Sequence, residues 1–164
     1  MTLLLITLAL SVVLALGWVR RSLAVVTVSG DSMAPTYSDG DRVLVRRKSL
    51  SRVRRGEIVM VERPGRETGW VGSPSGGRVT SRYWIIKRAA ALPGDPLPPD
   101  LVVGGAASAR AFVPADHLVV LGDNPNQSYD SRDFGFVEPP RLFGVVLRRL
   151  ATRPGVDALL RAGS

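Results

Sequence analysis

No cysteine occurs in this 164-residue chain, so disulfides and cysteine-ligated metal centres are excluded and stability must come from a packed core. The compartment stays open, because exported proteins need not carry disulfides. Histidine is almost missing as well. His117 is the only one, which makes a serine–histidine–aspartate arrangement a poor prospect and leaves no His-Glu-x-x-His cluster for a metal. Neither a metal nor an organic cofactor is expected. Long uninterrupted helical stretches are scarce after the N-terminus, since 17 Gly and 12 Pro punctuate the chain too often for a helical bundle and favour short strands joined by turns. There is no internal repeat, and the length suits one compact domain with an appendage.

What the chain does have begins with an apolar run. Residues 2–19, TLLLITLALSVVLALGWV, carry no formal charge and end at Trp18 before Arg20 and Arg21. As a helix this run reaches roughly 27 Å, within the range of a single membrane span. A cleavable signal peptide is the rival reading, but no basic n-region precedes the run and no small-x-small site closes it. The net charge of +8 suits either nucleic acid or an anionic membrane. Arg20, Arg21, Arg46, Arg47, Lys48, Arg52, Arg54 and Arg55 all lie near the apolar segment, which favours the lipid bilayer as partner over nucleic acid. For any one of them, a solvated strand edge or loop is the plainer explanation. Because the basic residues follow the run, the positive-inside rule taken alone would keep the rest of the chain in the cytoplasm.

Beyond the run, Leu23–Val28, Arg42–Arg46, Ile58–Val61, Tyr83–Ala91, Leu118–Leu121 and Phe143–Leu147 read as strands separated by turns such as Ser38-Asp39-Gly40-Asp41. The expected fold is mainly β, an antiparallel sheet with one N-terminal transmembrane helix. Its expected organisation is an anchor over 1–21, a catalytic core over 22–152 and a tail over 153–164. Residues 62–81 and 93–110 read as loops, and Val156–Arg161 as a short helix without chemistry.

Three strings carry chemistry: SGDSMAPT at 29–36, IIKRAAALPGD at 85–95 and LGDNPNQSYDSR at 121–132. They propose a hydrolase in which Ser32 is paired with Lys87. A serine hydroxyl is a weak nucleophile until a neighbouring base takes its proton. Lysine serves poorly at its ordinary pKa, with about 0.04% neutral at pH 7, so the ammonium must be destabilised by roughly 3–5 kcal/mol. Burial can do this, and Lys87 stands among Trp84, Ile85, Ile86 and Ala89–Leu92. On a strand, Ile85 and Ala89 would share its face. The bland alternatives are a snorkelling surface lysine and a turn serine ahead of Pro35. A class A β-lactamase is excluded by spacing, because Pro35 stands where that motif needs its lysine.

SGDSMAPT, GDRVLV, KRAAALPGD and GDNPNQSYDSRDFG, in this order after an apolar N-terminal segment, resemble the successive boxes of bacterial type I signal peptidases, from about Val28 to Val146. The resemblance implies a membrane-anchored serine endopeptidase that removes signal peptides from exported preproteins, with Ser32 as nucleophile and Lys87 as general base. It places Ser128 against the lysine amine and Asp130, Arg132, Arg88 and Asp123 in a supporting polar cluster. For Asp123 a Gly-Asp-Asn turn is an equally good reading. The backbone of Gly30, Ser32 and Met33 is expected to face the oxyanion and the substrate backbone, the Ser32 N–H being the principal donor. Gly30 stands where some relatives supply a serine hydroxyl, so that donor is absent. The implied partners are preprotein signal peptides with small residues before the cleavage site, bound as an added strand. The implied location is the plasma membrane, with the catalytic domain on the extracytoplasmic side. A dedicated maturation protease of the same chemistry, a self-cleaving repressor-type protease and a non-catalytic basic membrane protein are the other readings considered.

Overall fold

The computed structural model describes residues 2–65, 70, 84–97, 101 and 112–152, with backbone alone at 2, 3, 8, 15, 16, 18 and 19. The helix expected over the tail and most of the two expected loops lie outside the described residues. Helix α1 spans Thr2–Ser22 and places Arg20 and Arg21 in its last turn, where they complement the negative end of the helix dipole. Among the described residues no helix is long and apolar enough to cross a membrane.

Six strands follow: β1 Leu23–Thr27, β2 Arg42–Arg47, β3 Ile58–Glu62, β4 Trp84–Ala91, β5 Val119–Leu121 and β6 Leu142–Ala151. They form one sheet in the order β1-β2-β6-β3-β4-β5, and every pair is antiparallel. The mainly antiparallel architecture read from the sequence is therefore present.

The central strands are buried on both faces, which is why their sequences are nearly continuous apolar runs rather than strict alternations. Val59 and Val61 of β3 join Ala89, Leu118, Val120 and Val145 in one core. Met60, between them, turns the other way and packs with Val43, Val45, Trp84, Ile86 and Phe143. Each such side chain contributes about 1.5–3 kcal/mol on leaving water. Strand β6 reaches two neighbours at once through Gly144, which is paired with Arg47 of β2 and Met60 of β3. A Cβ there would fall 2.0 Å from the Arg46 carbonyl oxygen, so only glycine fits.

Two strand edges matter for the site. Among the described strands, β1 pairs with β2 alone. Strand β5 pairs with β4 only from Arg88 onward, so Trp84–Lys87 bond β3 on one side and no strand among the described residues on the other. A cavity of about 380 Å³ lies between these edges, lined by Val26–Ser29 on one wall and Trp84–Ile86 on the other, and Ser32 opens into it.

Candidate active site

Ser32 begins the turn that follows β1, and Lys87 sits at the middle of β4, opposite Val59. Folding brings them into contact: Lys87 Nζ and Ser32 Oγ form a hydrogen bond of 2.5 Å. Nζ donates while it is an ammonium, and the hydroxyl donates once the amine is neutral. Lys87 is only 2% exposed. Burial pushes its amine down from 10.5 to about 8, partly opposed by the negative charge of Asp130 and assisted by the positive charges of Arg63 and Arg132. At pH 7 about a tenth of such lysines are neutral, against about 0.03% for one at 10.5. As expected from strand geometry, Ile85 and Ala89 lie on one face of β4 and pack into the same core, while Trp84 and Ile86 enter the other.

The turn carrying Ser32 is held from below by the residues after β5. Asn124 N–H donates to the Ser32 carbonyl at 3.0 Å. A Cβ on Gly122 would lie 2.6 Å from that same carbonyl oxygen and 2.2 Å from Ser128 Oγ. Glycine at 122 is thus what lets the nucleophile turn and the Ser128 side chain close over the end of β5. Sequence reasoning missed it, although the Gly-Asp-Asn string directly after an apolar strand marked a close backbone approach. The N–H groups of Ser32 and Met33 donate to no described group.

Gly30 has φ +81°, a left-handed conformation, and a Cβ there would meet nothing within 4 Å. Its N–H donates to Asp39 Oδ1 at 2.9 Å. Backbone conformation, not crowding, is therefore the demand for glycine at this position. Ser29 lines the cavity beside Ser32.

The expected supporting residues divide into two groups. Asp130, fully buried, caps the short helix α2, Ser131–Phe134. Its carboxylate accepts from Ser128 Oγ at 2.6 Å, from Gly122 N–H at 2.9 Å and from the Arg132 guanidinium at 2.9 and 2.7 Å. Burial alone would raise its pKa, but these donors together hold it below the usual carboxylate value. The described hydrogen bond of Ser128 thus runs to Asp130. The second group joins Arg88, Asp123 and Thr36. Arg88 grips Asp123 with two bonds of 2.7 and 2.6 Å, and Thr36 Oγ1 donates to Asp123 Oδ2 at 2.5 Å. The Arg88 and Thr36 contacts hold the Asp123 carboxyl low. Asp123 is thereby a strut between β4 and the nucleophile turn. Thr36 belongs to the SMAPT string, yet nothing local to it pointed to a partner 87 positions away.

The folded chain thus brings a serine hydroxyl into contact with a buried lysine whose amine is lowered to about 8, an arrangement in which the amine can take the hydroxyl's proton. The family model described as signal peptidase, peptidase S26, matches residues 1–98 and 101–150, and the chain belongs to that family. It is 34% identical to signal peptidase I of Leptolyngbya laminosa, over 84% of this chain and 73% of that protein. Identity with the probable signal peptidase I-2 of Synechocystis is 32%, over 93% and 74% of the two chains. The mouse mitochondrial inner membrane protease subunit 1 is 32% identical over 77% of this chain and 66% of its own length. The class is that of a serine endopeptidase that removes signal peptides.

Proposed function

We propose that this endopeptidase cleaves preproteins with a Ser32–Lys87 dyad. The 2.5 Å contact between the serine hydroxyl and a buried amine at the end of an open cavity carries the reading. Neutral Lys87 Nζ accepts the Ser32 proton as Oγ attacks the scissile carbonyl carbon. The resulting ammonium gives that proton to the leaving amine, and water deprotonated by the regenerated amine then hydrolyses the acyl-enzyme. The Ser32 and Met33 N–H groups, which have no partner among the described residues, are the donors for the oxyanion. Ser29, beside them in the cavity wall, is the hydroxyl side chain nearest in sequence to the donor missing at Gly30. Ser128, Asp130 and Arg132 fix the electrostatic surroundings of the amine, while Arg88 and Asp123 hold the nucleophile turn.

An extended peptide fits between the open edges of β1 and β4 by strand addition, its small side chains directed at shallow pockets beside Ser32. Substrates are preproteins with small residues before the scissile bond. Purified full-length protein in detergent or lipid is expected to cut such a preprotein after an Ala-x-Ala site. Ser32→Ala and Lys87→Ala are expected to lower kcat/KM by about 10⁴-fold or more with the fold intact. Retained activity in either folded variant overturns the dyad. A folded wild type that ignores a general preprotein turns the reading toward a dedicated maturation protease.

We further propose that α1 anchors the enzyme in the plasma membrane with the sheet on the extracytoplasmic side. Its support is the uncharged sequence 2–19 carried on this helix, since the described side chains by themselves do not make a helix long and apolar enough to cross a membrane. Leu4, Leu5, Ile6, Leu10, Val12, Val13 and Leu14 are exposed on it, a cost in water that hydrocarbon removes. At its C-terminal end Arg20, Arg21 and Arg47 line a cavity of about 650 Å³ that suits lipid phosphates.

A further inference from the structure

Arg63 follows β3 directly and lines the cavity that ends at Ser32, with an exposed side chain. The other arginines flanking the dyad are committed: Arg88 to Asp123 and Arg132 to Asp130. Arg63 takes no part in an ion pair with any described residue, and no carboxylate is among the described residues that line the cavity. Its charge is felt at the reacting centre, where it disfavours the ammonium form of Lys87. An uncommitted guanidinium so placed lowers the basicity the mechanism needs, but it also leaves a planar donor fork facing the bound peptide.

An extended substrate alternates its side chains. Positions kept small by the pockets beside Ser32 therefore leave intervening positions turned elsewhere, where a longer side chain is accommodated. Among the described residues that line the cavity, Arg63 carries the only formal charge, so the substrate side chain it selects is negative.

We propose that Arg63 forms a subsite for a carboxylate side chain of the substrate, so that cleavage segments carrying an aspartate or glutamate beside their small residues are preferred. The proposal rests on the signal-peptidase reading of the site. Selection arises from pairing across a partly solvated cavity, so its size is modest and falls with salt.

The test uses the full-length protein in detergent and peptides spanning an Ala-x-Ala site. A single aspartate, asparagine or lysine is placed in turn at each position from four before to two after the scissile bond. At one position aspartate is expected to exceed asparagine in kcat/KM by about fivefold at low salt. Arg63→Gln removes that difference and Arg63→Glu reverses it in favour of lysine, while the neutral peptide is still cleaved by Arg63→Gln. Ser32→Ala supplies a readout without turnover, since the aspartate peptide should bind it more tightly than the asparagine peptide. Cleavage without any aspartate preference, or a preference that survives Arg63→Gln, overturns the subsite and leaves the peptidase reading standing. Failure of folded wild type to cleave any of these peptides turns the reading toward a dedicated maturation protease and overturns the subsite with it.

Discussion

An amine that titrates near 8 instead of 10.5 divides the pH scale into three regions for Lys87. Below about 8 the folded protein carries a buried ammonium. Between the two values the unfolded chain still holds the proton that the folded chain has released, so stability rises with pH across this window. Above it both states are neutral and the contribution is constant. A shift of this size corresponds to about 3 kcal/mol. Lys87→Met is therefore expected to be more stable than wild type at pH 7 by up to that amount, the gap closing as pH approaches 10.5, as read by chemical unfolding at a series of pH values. In the proposed mechanism the same titration governs catalysis, so kcat/KM should rise with pH through an apparent pKa near 8. Arg63→Gln removes a neighbouring positive charge and moves that limb to higher pH. At Gly122 the question is space rather than charge. A methyl group there collides with the Ser32 carbonyl and Ser128 Oγ, and Gly122→Ala is expected to cut kcat by about 100-fold through displacement of the nucleophile, with the circular dichroism of the sheet retained.

Among the elements, β6 lies between β2 and β3 and pairs with both at Gly144 and at Val145. At Gly144 the space that a Cβ would need is occupied by the Arg46 carbonyl and the Arg47 Cα. Gly144→Ala must push apart backbone, which cannot rotate away as a side chain can, and should cost about 3 kcal/mol or prevent folding. A melting temperature within a degree or two of wild type would contradict this account of the sheet. Most strands were legible in the sequence because valine and isoleucine runs bounded by Gly and Asp turns need no partner to be recognised; the six expected segments differ from the observed strands by a few residues at their ends. Helix α2 was not legible. It is one turn long, and its cap, Asp130, doubles as the anchor for Gly122, Ser128 and Arg132, so its signal was absorbed in a site motif.

At the scale of the whole molecule, the exposed apolar face of α1 and the basic cavity at its end bear on membrane attachment. The full-length chain is expected to float with phospholipid vesicles and to resist extraction by high salt and alkaline carbonate. Arg20→Gln, Arg21→Gln and Arg47→Gln together should weaken association with vesicles rich in anionic lipid more than the same substitutions at Arg52, Arg54 and Arg55, which lie outside the cavity. Recovery of the wild-type chain in the carbonate supernatant would remove the anchor from the proposed function.

By itself the amino-acid sequence determined the mainly β class, the apolar N-terminal segment and the choice of Ser32 and Lys87 as the pair proposed to react. Strand periodicity, apolar length and a serine and lysine without a histidine rival are properties of neighbours along the chain. The tertiary structure alone decided what surrounds them. It showed that burial brings Lys87 to about 8, that Ser128 is bonded to Asp130, and that Arg88 and Thr36 meet on Asp123. It also put Arg63 into the cavity wall. These are relations between segments far apart in sequence, and desolvation and hydrogen bonding act only between groups that the folded sheet has already brought together.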